Sequence, residues 1–179
     1  MKPIIFEKII PNNVNENICQ ILAYQKWYLA RDNPKENEFH LIRDFEKNRG
    51  FSLDCNGDPN DDPILHFFAH LVFSKVSEYM FDNKLIENTK GVKVDRVRYN
   101  LYLNNSYCKE HKDNPNDNYW SVVYDLHNSY SSTLVNGVKY QDKSGQAKIF
   151  KSNILHGATI DSRDNVRLNM NIIFEEYKK

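Results

Sequence analysis

Cysteine is scarce in this chain, and its scarcity excludes two chemistries. Cys19, Cys55 and Cys108 are odd in number and far apart, so they form neither a disulfide framework nor a Cys-x-x-Cys zinc pattern. A reducing, cytoplasmic setting is the expectation. An excess of charge of one sign is also missing. The 24 basic residues balance the 24 acidic ones, and without net positive charge there is no global pull toward nucleic acid. The longest apolar-rich stretches, such as Ile64 to Phe68, are far short of the roughly 20 residues that span a bilayer. The N-terminal stretch has no long apolar run or small-residue cleavage site, so no signal peptide is expected. No P-loop, Rossmann fingerprint or Ser-His-Asp order is visible. Without an internal repeat, linker or low-complexity segment, residues 1–179 read as one domain, large enough to bury a core.

What is present changes period along the chain. The first part, to about residue 90, reads as mostly helical. Asn12-Asn13 offers a cap before Val14, and Glu16 stands three residues past Asn13, as a capping box requires. Asn33-Pro34 breaks whatever Trp27 to Ala30 forms. Asp61-Asp62-Pro63 starts a second helix, whose broad apolar face of Ile64, Leu65, Phe67, Phe68, Leu71, Val72, Val76, Tyr79 and Met80 is expected to pack against a sheet. From about residue 91 to 176 the period is two. Val97 and Tyr99, then Trp120, Val122 and Tyr124, alternate with polar neighbours. A turn is expected at Asn104-Asn105-Ser106, and Asn136-Gly137 is a type I′ hairpin signal. Short strands so closely spaced imply a sandwich or a jelly roll.

One constellation carries chemistry. His111 and Asp113 lie two residues apart, so on extended chain both side chains leave one face. With His156 they make two imidazoles and a carboxylate, the ligand set of non-haem Fe(II) oxygenases, which leaves positions open for a co-substrate and O2. Arg167 follows on a strand where Arg167, Asn169 and Asn171 alternate with Leu168, Met170 and Ile172. A guanidinium on a buried strand should meet an anion. That anion is either a dicarboxylate co-substrate or a protein carboxylate such as Asp125. Other candidates are weaker. His66 and His70 share a helix face without a metalloprotease Glu between them. Cys108 has nothing nearby to activate a thiolate. Tyr119 and Trp120 are placed at the rim, and His127 is either a pocket residue or a turn residue. Lys93, Arg96 and Arg98 are too few to argue for nucleic acid.

Tyr102-Leu103-Asn104-Asn105-Ser106-Tyr107-Cys108-Lys109-Glu110-His111-Lys112-Asp113 resembles the strand-turn-ligand block of 2-oxoglutarate/Fe(II)-dependent dioxygenases, in the prolyl-4-hydroxylase-like branch. Asn114-Pro115, Tyr124 to Asn128, Ser152 to Gly157 and Arg167 to Asn171 are similar to that branch too. The likeness runs from Val94 to Phe174 and is nearest to small single-domain members, phage ones included. It implies an α+β protein whose core is a double-stranded β-helix (a cupin-like jelly roll), with N-terminal helices packed on the major sheet. It also implies Fe(II) on His111, Asp113 and His156, with 2-oxoglutarate and O2 as co-substrates and ascorbate as an accessory. Arg167 would hold the distal carboxylate of 2-oxoglutarate, Tyr102 would hydrogen-bond it, and Asn169 would assist the Arg. Arg163 is a rival anchor on a loop with Asp161 and Asp164. Asp125 stands where many relatives have a second Tyr, and Asn105 is near the position of a missing turn Gly.

The activity implied is hydroxylation of a C–H bond in a peptidyl substrate, with prolyl the leading case, or in a small molecule, with release of succinate and CO2. The alternative is a non-catalytic metal-binding jelly-roll module. Neither a membrane nor nucleic acid is an expected partner, and the oligomeric state is not readable from the sequence.

Overall fold

A register slip in one long strand explains how this chain builds an apolar outside and a polar inside on one sheet. In the computed structural model, which describes residues 2–24, 28–30, 40–44, 63–87, 91–103 and 107–177, strand β4 (Val92–Leu103) pairs antiparallel with β11 (Val166–Glu176). Ile173 faces Arg96 and Phe174 faces Val94, so Asp95 is the extra residue of a bulge. The bulge lets Val94 and Val97, three apart, both join the apolar core. Arg96, Arg98, Asn100 and Tyr102 are left on the opposite face.

The remaining strands are β1 (Ile4–Phe6), β2 (Tyr28–Ala30), β3 (His40–Asp44), β5 (Tyr107–His111), β6 (Tyr119–Asp125), β7 (Ser132–Val135), β8 (Val138–Gln141), β9 (Ala147–Lys151) and β10 (His156–Thr159). They form a seven-stranded sheet, ordered β1-β9-β6-β11-β4-β3-β2, and a four-stranded sheet, ordered β5-β10-β7-β8. From β4 onward the chain alternates between the sheets, apart from the β7–β8 hairpin. This is the double-stranded β-helix expected from the sequence. Asn136 (φ 50°) and Gly137 (φ 72°) both take positive φ in that hairpin, as a type I′ turn requires.

Helices α1 (Asn12–Ala23) and α2 (Pro63–Asp82) cover the outer face of the large sheet. Leu22 of α1 and Leu65, Phe68, Val72, Val76 and Met80 of α2 share one core with Tyr99, Tyr124, Met170, Ile172 and Phe174. Two buried phenols fasten this layer. Tyr99 Oη donates to the Leu65 carbonyl at 2.8 Å, and Tyr124 Oη to Asn15 Oδ1 at 2.7 Å. No helix among the described residues is long and apolar enough to cross a membrane.

Two expectations need correction. The N-terminal part is not only helical, because β1, β2 and β3 extend both edges of the large sheet. Short edge strands of three to five residues are recruited by pairing, which no local period announces. Nor is there a capping box at Asn13 and Glu16. Helix α1 begins at Asn12 with Pro11 as its N-cap and no side-chain cap, the Pro11 carbonyl accepting from Val14 N. Pro63 does open α2, while Asp61-Asp62, Asn33-Pro34, Trp27 and the Asn104–Ser106 turn lie outside the described residues.

Candidate metal centre

His111 closes β5 and His156 opens β10, and the two are directly opposed in the small sheet. Close approach of these strands depends on Gly157. A Cβ there would lie 2.6 Å from the Cys108 carbonyl oxygen and 3.1 Å from Glu110 N, distances no other residue tolerates. The imidazole centroids consequently come within 4.6 Å. Asp113 reaches the same point from the bend after β5, not from the strand itself. Its N–H donates to the Ser152 carbonyl at 3.0 Å, which pins the bend beside His156.

Ligand atoms of His111, Asp113 and His156 all lie within 4.8 Å of one another. His156 Nε2 is 3.2 Å from Asp113 Oδ2, and His111 Nε2 is 3.7 Å from Asp113 Oδ1. Each Nδ1 faces a backbone carbonyl, of Lys109 at 2.9 Å and of Ile154 at 3.1 Å. Those carbonyls favour the Nδ1–H tautomer and leave both Nε2 lone pairs turned toward the carboxylate. His156 Nε2 is buried and has no hydrogen-bond partner. A buried acceptor left in this state is costly, and a cation at the centre of the three groups is what would satisfy it. The residues therefore fit a divalent metal.

Asp113 is fixed from behind. Its carboxylate accepts from Arg96 Nη2 at 2.9 Å, Ser121 Oγ at 2.7 Å and Asn171 Nδ2 at 3.3 Å. Burial opposes its ionisation, but His111, His156 and Arg96 hold it well below the usual carboxylate range. In return, hydrogen bonding to Asp113, and then to Cys108, pushes His111 up to about 11. Without a metal, a proton holds the cation's place.

The cluster borders a small cavity of about 50 Å³ between the two sheets. Arg167 and Tyr102 line it, with the guanidinium carbon 5.3 Å from the phenol ring centre. Arg167 is completely buried and already has an anion. Nε and Nη2 donate to the two Asp142 oxygens at 2.5 and 3.1 Å, and Nη2 also donates to Thr133 Oγ1 at 2.8 Å. Of the alternatives for Arg167, a protein carboxylate is thus present, but it is Asp142 and not Asp125. Asp125 instead meets Lys148, which also reaches Asp142 at 3.0 Å.

Asn169 lines the same cavity, where it accepts from Asn100 at 2.8 Å, and Thr133 is the residue that hydrogen-bonds Arg167 beside Asp142. The other candidates fall elsewhere. Arg163 is on the surface, with both its donors on Asp161 at 2.8 and 2.9 Å. His127 lies in the bend after β6, which ends at Asp125. Its ring faces the Val166 carbonyl at 3.2 Å and lines a separate cleft beside α1. Trp120 turns to the helix side and donates to Glu176 at 3.1 Å. His66 and His70 on α2 are not part of the metal cluster.

Sequence reasoning missed Arg96 and Asn171 as partners of Asp113, though the signal was available. The alternation that exposes Arg167 on β11 also runs through Arg96, Arg98 and Asn100 on β4. Asp142, Lys148 and Thr133 had no such signal, because only the closed β-helix brings them to Arg167.

A double-stranded β-helix with two imidazoles and a carboxylate at its mouth defines the class. No family model matches the sequence, and no curated protein matches it. Solved structures do. The chain is similar to a 2OG-Fe(II) oxygenase family protein from Burkholderia pseudomallei, with 15% identity, TM-score 0.72 and coverage of 98% of this chain and 86% of that one. It is similar to HygX from Streptomyces hygroscopicus, solved with nickel and 2-oxoglutarate, at 9% identity, TM-score 0.69 and coverage of 98% and 83%. A Pseudomonas putida prolyl-4-hydroxylase follows at 14%, TM-score 0.63, 99% and 94%. The chain shares its fold with these 2-oxoglutarate/Fe(II) oxygenases.

Proposed function

We propose that this protein is an Fe(II)- and 2-oxoglutarate-dependent oxygenase that hydroxylates a C–H bond of a peptidyl, including prolyl, or small-molecule substrate. The observation that carries the reading is the convergence of His156 Nε2, buried and unpartnered, with His111 and Asp113 on a cavity that Arg167 also lines. The similarity to HygX, solved with 2-oxoglutarate and nickel, supports the choice of co-substrate.

In this reading the iron and 2-oxoglutarate supply the oxidising chemistry, in which O2 is consumed and succinate and CO2 are released. The chain's own part is placement. His111 and His156 bind through Nε2, held by the Lys109 and Ile154 carbonyls. Asp113 is the third ligand and is kept ionised and oriented by Arg96 and Ser121. The Arg167 guanidinium and the Tyr102 hydroxyl, which line the cavity, are the donors assigned to the distal carboxylate. Asp142 fixes the guanidinium plane before the co-substrate arrives.

Anaerobic addition of Fe(II) and 2-oxoglutarate tests this reading directly. A visible metal-to-ligand charge-transfer band is expected in the wild type and lost in His111→Ala. Absence of the band, with His111→Ala indistinguishable from wild type, would sink it. One observation favours a second reading, a non-catalytic metal-binding module: Asp142 already neutralises Arg167. Uncoupled succinate formation with the iron-loaded protein separates the two, since a binding module forms none.

A further inference from the structure

Asp113 is held by two residues that each keep one polar atom unused. Arg96 gives Nη2 to Asp113 Oδ1, and its Nε is buried without a hydrogen-bond partner. Asn171 gives Nδ2 to Asp113 Oδ2, and its Oδ1 is buried and equally unpartnered. Because the carboxylate needs a donor, the Asn171 amide is oriented with Nδ2 toward Asp113 and Oδ1 away from it. The two residues are diagonal neighbours on β4 and β11, with Ile173 opposite Arg96 and Asn171 opposite Arg98. Both line the same cavity as the histidines. Asn171 is only 8% exposed, so water has little access to its oxygen, and a native structure rarely leaves such atoms unsatisfied.

We infer that Arg96 and Asn171 form the substrate-recognition subsite and select a small molecule carrying a carboxylate beside an amino N–H, as a free amino acid does. The inference rests on the oxygenase reading above. A cationic donor prefers an anionic acceptor, and an amide oxygen can only accept, so the ligand must bring both an acceptor and a donor. Arg167 at the co-substrate position has its Nε on Asp142, whereas Arg96, which meets Asp113 through Nη2, keeps a buried Nε unused, with Arg98 beside it on the cavity wall. Among the described residues the cavity lining includes three Arg and no Asp or Glu, and the Asp113 carboxylate behind it is itself paired with Arg96. Through their other arms the same two residues hold a metal ligand, and the recognised group is thereby fixed relative to the metal.

The test uses the protein loaded with Mn(II) and saturated with 2-oxoglutarate. Binding is read from the relaxation that Mn(II) imposes on ligand protons, so turnover is not needed. The ligands are the proteinogenic amino acids, their des-amino acids, their carboxamides, and their N-acetyl amides as mimics of a peptide. At least one free amino acid is expected to bind saturably. Asn171→Ala should weaken it about ten-fold, the loss of one buried hydrogen bond, while leaving the des-amino analogue within about two-fold. Arg96→Gln should weaken the carboxylate form by a similar factor and spare the carboxamide. If either variant weakens every ligand equally, in step with Mn(II) itself, the residues act only through Asp113 and the inference is overturned. Tighter binding of the N-acetyl amides than of free amino acids overturns it as well. Asn171→Ser is the fallback variant if the alanine does not fold, with the same pattern expected. A protein that takes Mn(II) and 2-oxoglutarate but no amino acid refutes this inference alone, whereas one that takes neither refutes the oxygenase reading beneath it.

Discussion

Asp142 grips Arg167 through two hydrogen bonds, at 2.5 and 3.1 Å, inside the β-helix where both side chains are almost fully buried. The pair makes Arg167 structural and functional at once, and the two parts can be separated by experiment. Arg167→Ala leaves Asp142 with Lys148 as its cation and Ser129 as a further donor, and should destabilise the fold by about 3–5 kcal/mol, the range for breaking one side of a buried pair. Urea unfolding of the metal-free protein reads that loss. In protein that remains folded, the affinity for 2-oxoglutarate should fall far more than that for Fe(II). Equal loss of both would show that the Arg serves the fold only.

Acid should unfold the protein through the same pair. Burial opposes the Asp142 charge, but Arg167 and Lys148 hold its pKa down to about 2 against an ordinary 3.8. A depressed carboxyl gives stability that is present above the unfolded value and lost as pH falls through the folded one. Asp113 is displaced in the same direction. Asp125, which burial and then Asp142 raise to about 7, acts the other way at higher pH, so the urea midpoint should rise from pH 7 to a plateau near 5 and drop below about 4. Asp142 alone contributes roughly 2 kcal/mol to that drop. Asp142→Asn should lower the plateau and flatten the acid limb, and an unchanged acid limb would refute the assignment.

Metal uptake should have the opposite relation to protons. The proton that Asp113 stabilises on His111, with a pKa of about 11, occupies the position an ion needs. Binding must release it, so apparent Zn(II) or Mn(II) affinity should rise about ten-fold per pH unit near neutrality. Calorimetry in buffers of different ionisation enthalpy would count the proton directly.

The helix layer should be separable from the site. Tyr124 Oη donates to Asn15, far from the cavity. Asn15→Leu, which leaves a buried hydroxyl unsatisfied, should cost about 1–3 kcal/mol and leave metal affinity unaltered. Coupled loss of both would mean that the helices set the metal geometry.

The legibility of this chain followed the range of its interactions. Alternation on β6 and β11, the Asn136-Gly137 turn and Pro63 at the head of α2 are local, and each was visible in the sequence. The metal residues were legible as a spacing, and the fold then brought them together. The neighbours of Arg167 were not, because Thr133 reaches it from a strand 34 residues earlier. Arg96 shows a different failure. Its face of β4 alternates as clearly as β11, but the bulge at Asp95 hid the phase, and counting positive charges told nothing about an Arg destined for a carboxylate.

Gly157 gives the sharpest test that backbone approach, and not ligand identity alone, makes the metal centre. It follows His156 in a strand whose pairing with β5 slips at this point. Its ordinary φ demands no glycine; the demand comes from the facing backbone, with the Cys108 oxygen 2.6 Å from where a Cβ would stand. Backbone cannot rotate aside as a side chain can, so Gly157→Ala must push β10 away from β5. That moves His156 off His111 and Asp113 while all three ligands remain in the sequence. Overpacking of this kind costs about 1–3 kcal/mol, which the fold should survive. Metal affinity should fall at least ten-fold, since ligand positions must hold to within roughly 0.5 Å. A folded Gly157→Ala protein with wild-type metal affinity would show that the strands can part without disturbing the centre. The clash at Cys108 would then have no bearing on how the site is built.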